Sequence, residues 1–266
     1  MVMPLRDAIG KLLIKLHRIT PDFRGKQATS RAIEKKLLGT TIQKSPDGVL
    51  LETRLSSSTD LSFLEEGGHT LIRSEISKLK AGETFLDVGA NVGYFSLLAS
   101  RMVGKSGTVI ALEPSPREYK MLIENVRRNS SANIFSLNCA ASNQAEIIQL
   151  ETEPDNTGLN KTHKARQCGN THGIIALPIS AITPDLQINL AKIDTEGFEL
   201  FAIRGMKNLF KKKQVNKIII EISPEFLESH NQKWSEIYEY LASFDFCPDP
   251  STDKSKKQWD EIFTLA

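Results

Sequence analysis

Three kinds of feature are scarce in this chain, and each scarcity removes a class of function. The three cysteines of its 266 residues, Cys139, Cys168 and Cys247, stand far apart, with no Cys-x-x-Cys pair and no histidine at zinc-ligand spacing. A disulfide framework and a structural zinc are therefore not expected, and a reducing compartment is. Long apolar runs are also missing, and Lys11 and Lys15 interrupt the first apolar stretch, so neither a membrane span nor a signal peptide is expected. The formal net charge is only +2, too small to argue for a nucleic-acid partner. These absences lead us to expect a cytoplasmic protein without nucleic acid as its target.

With 40% hydrophobic and 25% charged residues, the composition is that of an ordinary globular chain. Charge is unevenly placed, since residues 1–36 carry nine Lys or Arg against three acids. Within this arm Leu5, Ile9, Leu12, Leu13 and Leu16 follow helical spacing, with Lys11, Lys15 and Arg18 opposite them. Residues 4–19 are thus expected to form a basic amphipathic helix. It can pack on the domain or a partner subunit, or lie on a membrane surface as a peripheral contact. Residues 40–63 read as short strands around a turn at Ser45-Pro46-Asp47-Gly48. From Thr84 onward apolar strands alternate with helices, the pattern of a parallel sheet with crossover helices. Strands are expected at 84–88, 108–112, 134–138, 190–194 and 217–222, and helices at 94–103, 116–129, 199–212 and 232–243. Phe244–Cys247 and Glu261–Leu265 are expected to form an antiparallel hairpin at the sheet edge. The expected architecture is a Rossmann-like, doubly wound, mostly parallel α/β sheet over 81–266, preceded by an extension of helix and short strands over 1–80.

The most informative stretch is Phe85-Leu-Asp87-Val-Gly89-Ala90-Asn91-Val-Gly93-Tyr94-Phe-Ser96, a strand that turns tightly into a helix. Glycine lets the backbone pass close beneath a ligand, and Asn91 tolerates positive φ. The next strand ends in Glu113, placed to accept hydrogen bonds from both hydroxyls of a ribose. A nucleoside-bearing cofactor follows. Both NAD and S-adenosylmethionine carry such a ribose, but a carboxylate at Asp87 suits a cationic amino group and a sulfonium and would repel a pyrophosphate. The full Gly-x-Gly-x-x-Gly pattern is also missing.

A second cluster follows the fourth strand. Lys192 and Asp194 alternate with apolar neighbours and so share one face, the strand ends in Thr195-Glu196-Gly197, and the neighbouring strand carries Glu221 to its own carboxyl end. Asp194, Glu196 and Glu221 are candidate bases for removing an acceptor proton, with Lys192 able to hold a carboxylate ionised or orient the acceptor. Lys192 can equally be paired with Glu221 across adjacent strands. His163 and His172, in the polar stretch between Glu151 and Gly173, are alternative bases. Paired oxygens could hold Mg²⁺, but no spacing demands a metal and none is expected.

Four motifs in order, the string from Asp87 to Ser96, Glu113-Pro-Ser-Pro, Asn138-Cys-Ala-Ala-Ser and Lys192-Ile-Asp-Thr-Glu-Gly-Phe-Glu199, resemble the FkbM family of methyltransferases over residues 84 to about 223. The resemblance implies a class I methyltransferase fold, S-adenosylmethionine as cofactor, and methylation of hydroxyl groups on polyketides and sugars. It implies that Asp87, Gly89, Ala90, Asn91, Gly93 and Tyr94 lie at the cofactor, that Glu113, with Pro114 and Ser115, holds the ribose, and that Asn138, Cys139 and Ala140 lie near the adenine. Asp194-Thr-Glu-Gly in place of an Asn/Asp-Pro-Pro-aromatic corner favours hydroxyl chemistry on a sugar, glycan or other small molecule. An NAD-dependent oxidoreductase and a noncatalytic scaffold of the same fold are the competing readings.

Overall fold

The computed structural model describes residues 40–54, 57, 60, 62–64, 67–151, 161–163 and 171–266. The basic arm and its expected helix at 4–19 lie outside the described residues. The described chain begins with a hairpin, β1 (Thr40–Lys44) and β2 (Leu50–Arg54), whose tight turn is closed by Gly48 N–H donating to Ser45 C=O at 2.9 Å. Helix α1 (Thr70–Ser77) follows. Asn125 and Asn129 clamp β2 with their amides: Asn125 accepts from Glu52 N–H at 2.7 Å and Asn129 from Leu50 N–H at 3.1 Å, and each donates back to the same residue's carbonyl. The clamp completes edge hydrogen bonds that β2 would otherwise leave to water.

Then come β3 (Thr84–Val88), α2 (Tyr94–Val103), β4 (Thr108–Leu112), α3 (Pro116–Arg128) and β5 (Ile134–Leu137), close to the expected positions. The stretch after β5, of which Glu151 to Gly173 reads as polar, builds a second sheet from β6 (Ala140–Ala141), β7 (Glu146–Glu151), β8 (Lys161–His163) and β9 (Thr171–Leu177), in the order β6-β9-β7-β8. Its buried side, Ala140, Ile148, Leu150, Ile174 and Ala176, closes over Phe198. The alternation at Ile148 and Leu150 was the signal for it.

The remaining elements are α4 (Ile179–Ile182), β10 (Leu190–Ile193), α5 (Glu199–Arg204), α6 (Lys207–Lys211), β11 (Lys217–Ile222), α7 (Pro224–Ser229), α8 (Trp234–Ala242), β12 (Phe246–Pro248) and β13 (Trp259–Leu265). The single helix expected over 199–212 is broken in two. Gly205 sits at the break because the Ser142 carbonyl packs against it, where an added Cβ would meet that oxygen at 2.2 Å.

The main sheet has the order β12-β13-β11-β10-β3-β4-β5, parallel except at the β13 and β12 edge, where the expected antiparallel hairpin forms. Chain order runs outward from β3 on one side and from β10 on the other, so the crossovers diverge between them. In open parallel sheets the crevice at such a switch point, outside the carboxyl ends of the strands, takes the ligand. Two apolar cores flank the sheet. One lies under α4 to α8; the other joins Val49, Leu51, Phe63, Ile72 and Ile76 to Phe85, Phe95 and Leu97. Val49, Leu51, Phe63, Ile72, Ile76 and Leu79 therefore share a core with β3 and α2.

Candidate functional site

At the carboxyl ends of β3 and β10 the chain encloses a cavity of about 380 Å³. Its floor is the turn after β3. Gly89 and Ala90 both donate their amides to the Leu112 carbonyl at 2.9 Å, and an added Cβ at Gly89 would lie 1.8 Å from the Asp194 carbonyl oxygen. Glycine at that position lets β3 and the chain leaving β10 meet at the cavity floor. Asn91 takes the positive φ expected of it, 51°, and its amide donates to Glu113 Oε2 at 2.7 Å. Ser115 N–H donates to Glu113 Oε1 at 2.8 Å. Two backbone donors thus aim a carboxylate that is only 6% exposed yet lines the cavity. Burial, with Glu118 nearby, pushes the Glu113 carboxyl up to about 8. Donors arriving from a ligand would favour its ionised form.

The expected cofactor residues divide into two groups. Gly89, Ala90, Asn91, Glu113, Pro114, Cys139 and Ala140 line the cavity. Asp87, Gly93, Tyr94, Ser115 and Asn138 are not among the residues that line it. Asn138 donates to the carbonyls of Glu113 and Pro114, at 2.8 and 3.0 Å, and so holds the loop after β4. Ser115 aims Glu113 through its amide and bonds Glu118 through its hydroxyl. Gly93 packs its α-carbon against Leu122 of α3. Tyr94 lies in the core with its ring stacked on Phe63, centroids 5.0 Å apart, and its hydroxyl donates to Asp47 in the hairpin turn. Asp87 is 0% exposed beneath the floor, where Ser96 and Lys192 engage it.

All four residues of the second cluster line the cavity. Lys192 does not take Glu221 as its partner. Its ammonium lies 3.1 Å from Asp194 Oδ2, 3.6 Å from Asp87 Oδ1 and 3.2 Å from the Gly89 carbonyl. The reason is register, because Lys192 pairs with Asp87 across β10 and β3 and with Ile219, not Glu221, across β10 and β11. Burial opposes the charge on Lys192, but Asp194 and Asp87 beside it hold the ammonium above the usual lysine range. Burial followed by the neighbouring Asp194 pushes Glu196 up to about 9 and Glu221 well above the carboxylate range, and raises Asp260 to about 6. One oxygen each of Asp194, Glu196 and Glu221 lies within 4.8 Å of the others.

Glu199, quoted in the fourth motif without a role, shapes this corner. Its Oε1 accepts from Thr195 N–H at 3.0 Å, Thr195 Oγ1 at 2.9 Å and Gly197 N–H at 3.0 Å. The turn so formed holds Glu196 in a left-handed backbone, φ 53°, and leaves its Oε2 buried without a hydrogen-bond partner. Such an atom calls for a ligand donor. The sequence reading also missed the walls. Ser62, Phe63 and His69, from the segment before α1, line one side, with His69 Nε2 2.9 Å from Ser62 Oγ, while Phe198, Phe226 and Gln258 line the other. These residues come from segments far apart in the chain and carry no local motif. His163 and His172 fall in β8 and β9, but their side chains lie outside the described residues.

Residues 87–247 match the model of the methyltransferase FkbM domain. The chain belongs to the FkbM methyltransferase family. The cofactor of that family is S-adenosylmethionine, and the cavity fits it: a backbone cradle at Gly89 to Asn91, an aimed carboxylate at Glu113, and the half-buried acids Asp194, Glu196 and Glu221, which suit its cationic groups. Among FkbM-family and other methyltransferases, the chain is 29% identical over 164 residues to the hexuronic acid methyltransferase AglP of Haloferax volcanii, covering 59% of this chain and 62% of that one. It is 34% identical over 86 residues to the 31-O-demethyl-FK506 methyltransferase FkbM of Streptomyces tacrolimicus, 32% of each chain. The chain thus spans about three fifths of AglP and a third of FkbM. In fold it is similar to the crystal structure of a putative rRNA methylase from Clostridium thermocellum, at TM-score 0.50 and 9% identity over 76% of this chain and 99% of that one.

Proposed function

We propose that this chain transfers the methyl group of S-adenosylmethionine to a hydroxyl group, with a sugar or glycan acceptor ahead of other small molecules. The observation that supports it best is a single cavity lined both by the glycine turn with Glu113 and by Asp194 beside Lys192. When bound, the cofactor supplies an electrophilic methyl carbon on a sulfonium. An acceptor hydroxyl that took up this methyl group would give up its proton, which must go to a base. Glu196 is pushed up to about 9 and holds its own proton at neutral pH, so the acceptor proton goes to Asp194, whose Oδ2 lies 3.1 Å from the Lys192 ammonium. Protonated Glu196 then serves as a hydrogen-bond donor to another oxygen of the acceptor.

Five acids and one lysine line the cavity, which disfavours an acceptor that presents phosphates, and with it nucleic acid and NAD. The preference for a sugar takes its support from AglP, which is named for a hexuronic acid and shares the longer alignment. Among the described residues no helix is long and apolar enough to cross a membrane, and a peripheral contact through residues 4–19 remains part of the proposal. The test is transfer of label from methyl-labelled S-adenosylmethionine to fractionated cell glycans, lipids and metabolites. Label should enter a glycan fraction with the parent chain and not with Asp194→Asn. Binding of NAD with no binding of S-adenosylhomocysteine would overturn the reading.

A further inference from the structure

One polar string crosses the sheet beneath the cavity, and neither cofactor contact nor proton removal accounts for it. Ser96 of α2 donates to Asp87 Oδ2 at 2.5 Å, Asp87 Oδ1 lies 3.6 Å from Lys192 Nζ, and that ammonium reaches Asp194 Oδ2 at 3.1 Å and the Gly89 carbonyl at 3.2 Å. Asp87 and Lys192 are direct partners across β3 and β10, 0% and 3% exposed. We propose that Asp87 is a positioning residue: it holds Lys192 from below the floor, and through Lys192 it sets Asp194 in place for methyl transfer. The inference rests on the function proposed above for that cavity.

The argument is one of anchoring. A lysine carries its charge on a flexible four-carbon stem, and a single carboxylate does not fix where the ammonium sits. Around Lys192 the choices are wide, because Asp194, Glu196 and Glu221 all face it from the cavity side. Asp87 supplies the opposing pull from behind, Gly89 C=O a lateral acceptor, and the Phe95 ring a face 5.3 Å from the ammonium. Held on three sides, Lys192 meets Asp194 Oδ2 and not the neighbouring acids. Ser96 in turn fixes the Asp87 carboxylate by occupying its other oxygen. Burial strongly opposes charge on both partners, so the pair persists only as a pair. This reading departs from direct contact between Asp87 and the cofactor, which the place of Asp87 in the glycine motif had suggested.

The test uses the full chain without cofactor, labelled with ¹³C at lysine Cε, the Lys192 resonance being identified by its loss in Lys192→Met. In the parent Lys192 should stay protonated beyond the midpoint of the surface lysines, and in Asp87→Asn its midpoint should fall by a full pH unit or more. An unmoved midpoint would overturn the proposal. Calorimetry with S-adenosylhomocysteine runs beside it: Asp87→Asn should keep its affinity within threefold, and a tenfold loss with Lys192 unmoved would mean that Asp87 serves the cofactor itself. Melting gives a third readout that survives a poorly folding single variant. The double variant Asp87→Asn with Lys192→Met should melt above Lys192→Met alone, since Lys192 is the one cation paired with the fully buried Asp87 among the described residues and the double leaves no carboxylate stranded there; a double that melts no higher would overturn the pairing. Failure of the parent to bind S-adenosylhomocysteine would remove the proposed function while leaving the Lys192 titration readable.

Discussion

The two parts of the cavity lining are built on different principles. At the glycine turn the main chain forms the surface: two amides share the Leu112 carbonyl, two more aim Glu113, and Gly89 leaves no room for a side chain. At the acid corner side chains form it, with Lys192 shared between carboxylates and Glu196 held by a turn that Glu199 shapes. A surface made of backbone tolerates no change of shape. One made of paired charges tolerates shape changes but not changes of charge. The first suits a cofactor that never varies, and the second suits chemistry that must move a proton.

The largest expected effect is therefore steric and falls on the turn. Gly89→Ala places a methyl group on the Asp194 carbonyl at a φ of 80°, and should destabilise the fold by more than about 4 kcal/mol, the range kept for overpacking and backbone strain together. A melt within 2 °C of the parent would show that the two strands can part there at little cost. Next comes charge without shape: Asp194→Asn should lower turnover on the acceptor by about a hundredfold to ten-thousandfold, the usual contribution of a positioned base, while the melt barely moves. Parental turnover would mean that the acceptor needs no base, as a carboxylate would not.

The same contrast explains what could be read in the sequence. The turn was legible because glycine at 89 and asparagine at 91 are chosen by backbone φ, which is a local property. The strand–helix alternation was legible for the same reason, and β3, β4 and β11 fall where expected. Lys192 and the three acids were found as candidates, but their pairing was not, because it depends on how β10 registers against β3, more than a hundred residues earlier. Tyr94 shows the same limit from inside a motif. Its place beside the turn suggested the cofactor, while the hairpin at residues 40–54, docked by Asn125 and Asn129, turns it into a core residue. The second sheet went unread because β8 lies within the polar stretch between Glu151 and Gly173 and β6 is only two residues long, although Ile148, Leu150 and Ile174 mark the buried face.

Smaller effects sharpen the division of labour. Glu113→Ala should weaken S-adenosylhomocysteine by about 1.5 to 3 kcal/mol, the range for hydrogen bonds to a charged group, and unchanged affinity would remove Glu113 as the ribose acid. Proton linkage follows from the same group. The free carboxyl sits at about 8 and ligand donors favour its ionised form, so affinity should rise from pH 6 to pH 8 and level off above. In Glu113→Gln that rise should flatten. The opposite slope would place protonated Glu113 in the complex. The smallest change expected is Tyr94→Phe, which removes one hydroxyl bonded to Asp47 and should cost about 1 kcal/mol of stability with cofactor affinity intact. A loss of affinity would put Tyr94 back at the ligand.

The account turns on one claim, that the turn binds and the acid corner reacts. The most direct test titrates S-adenosylhomocysteine by calorimetry into the parent, Glu113→Ala and Asp194→Asn and then measures methyl transfer by each. The account predicts that Glu113→Ala loses tenfold or more in affinity, and that Asp194→Asn binds within threefold of the parent yet transfers at a hundredth of its rate or less. Loss of cofactor affinity in Asp194→Asn as large as in Glu113→Ala, or transfer by Asp194→Asn at the parental rate, would contradict it.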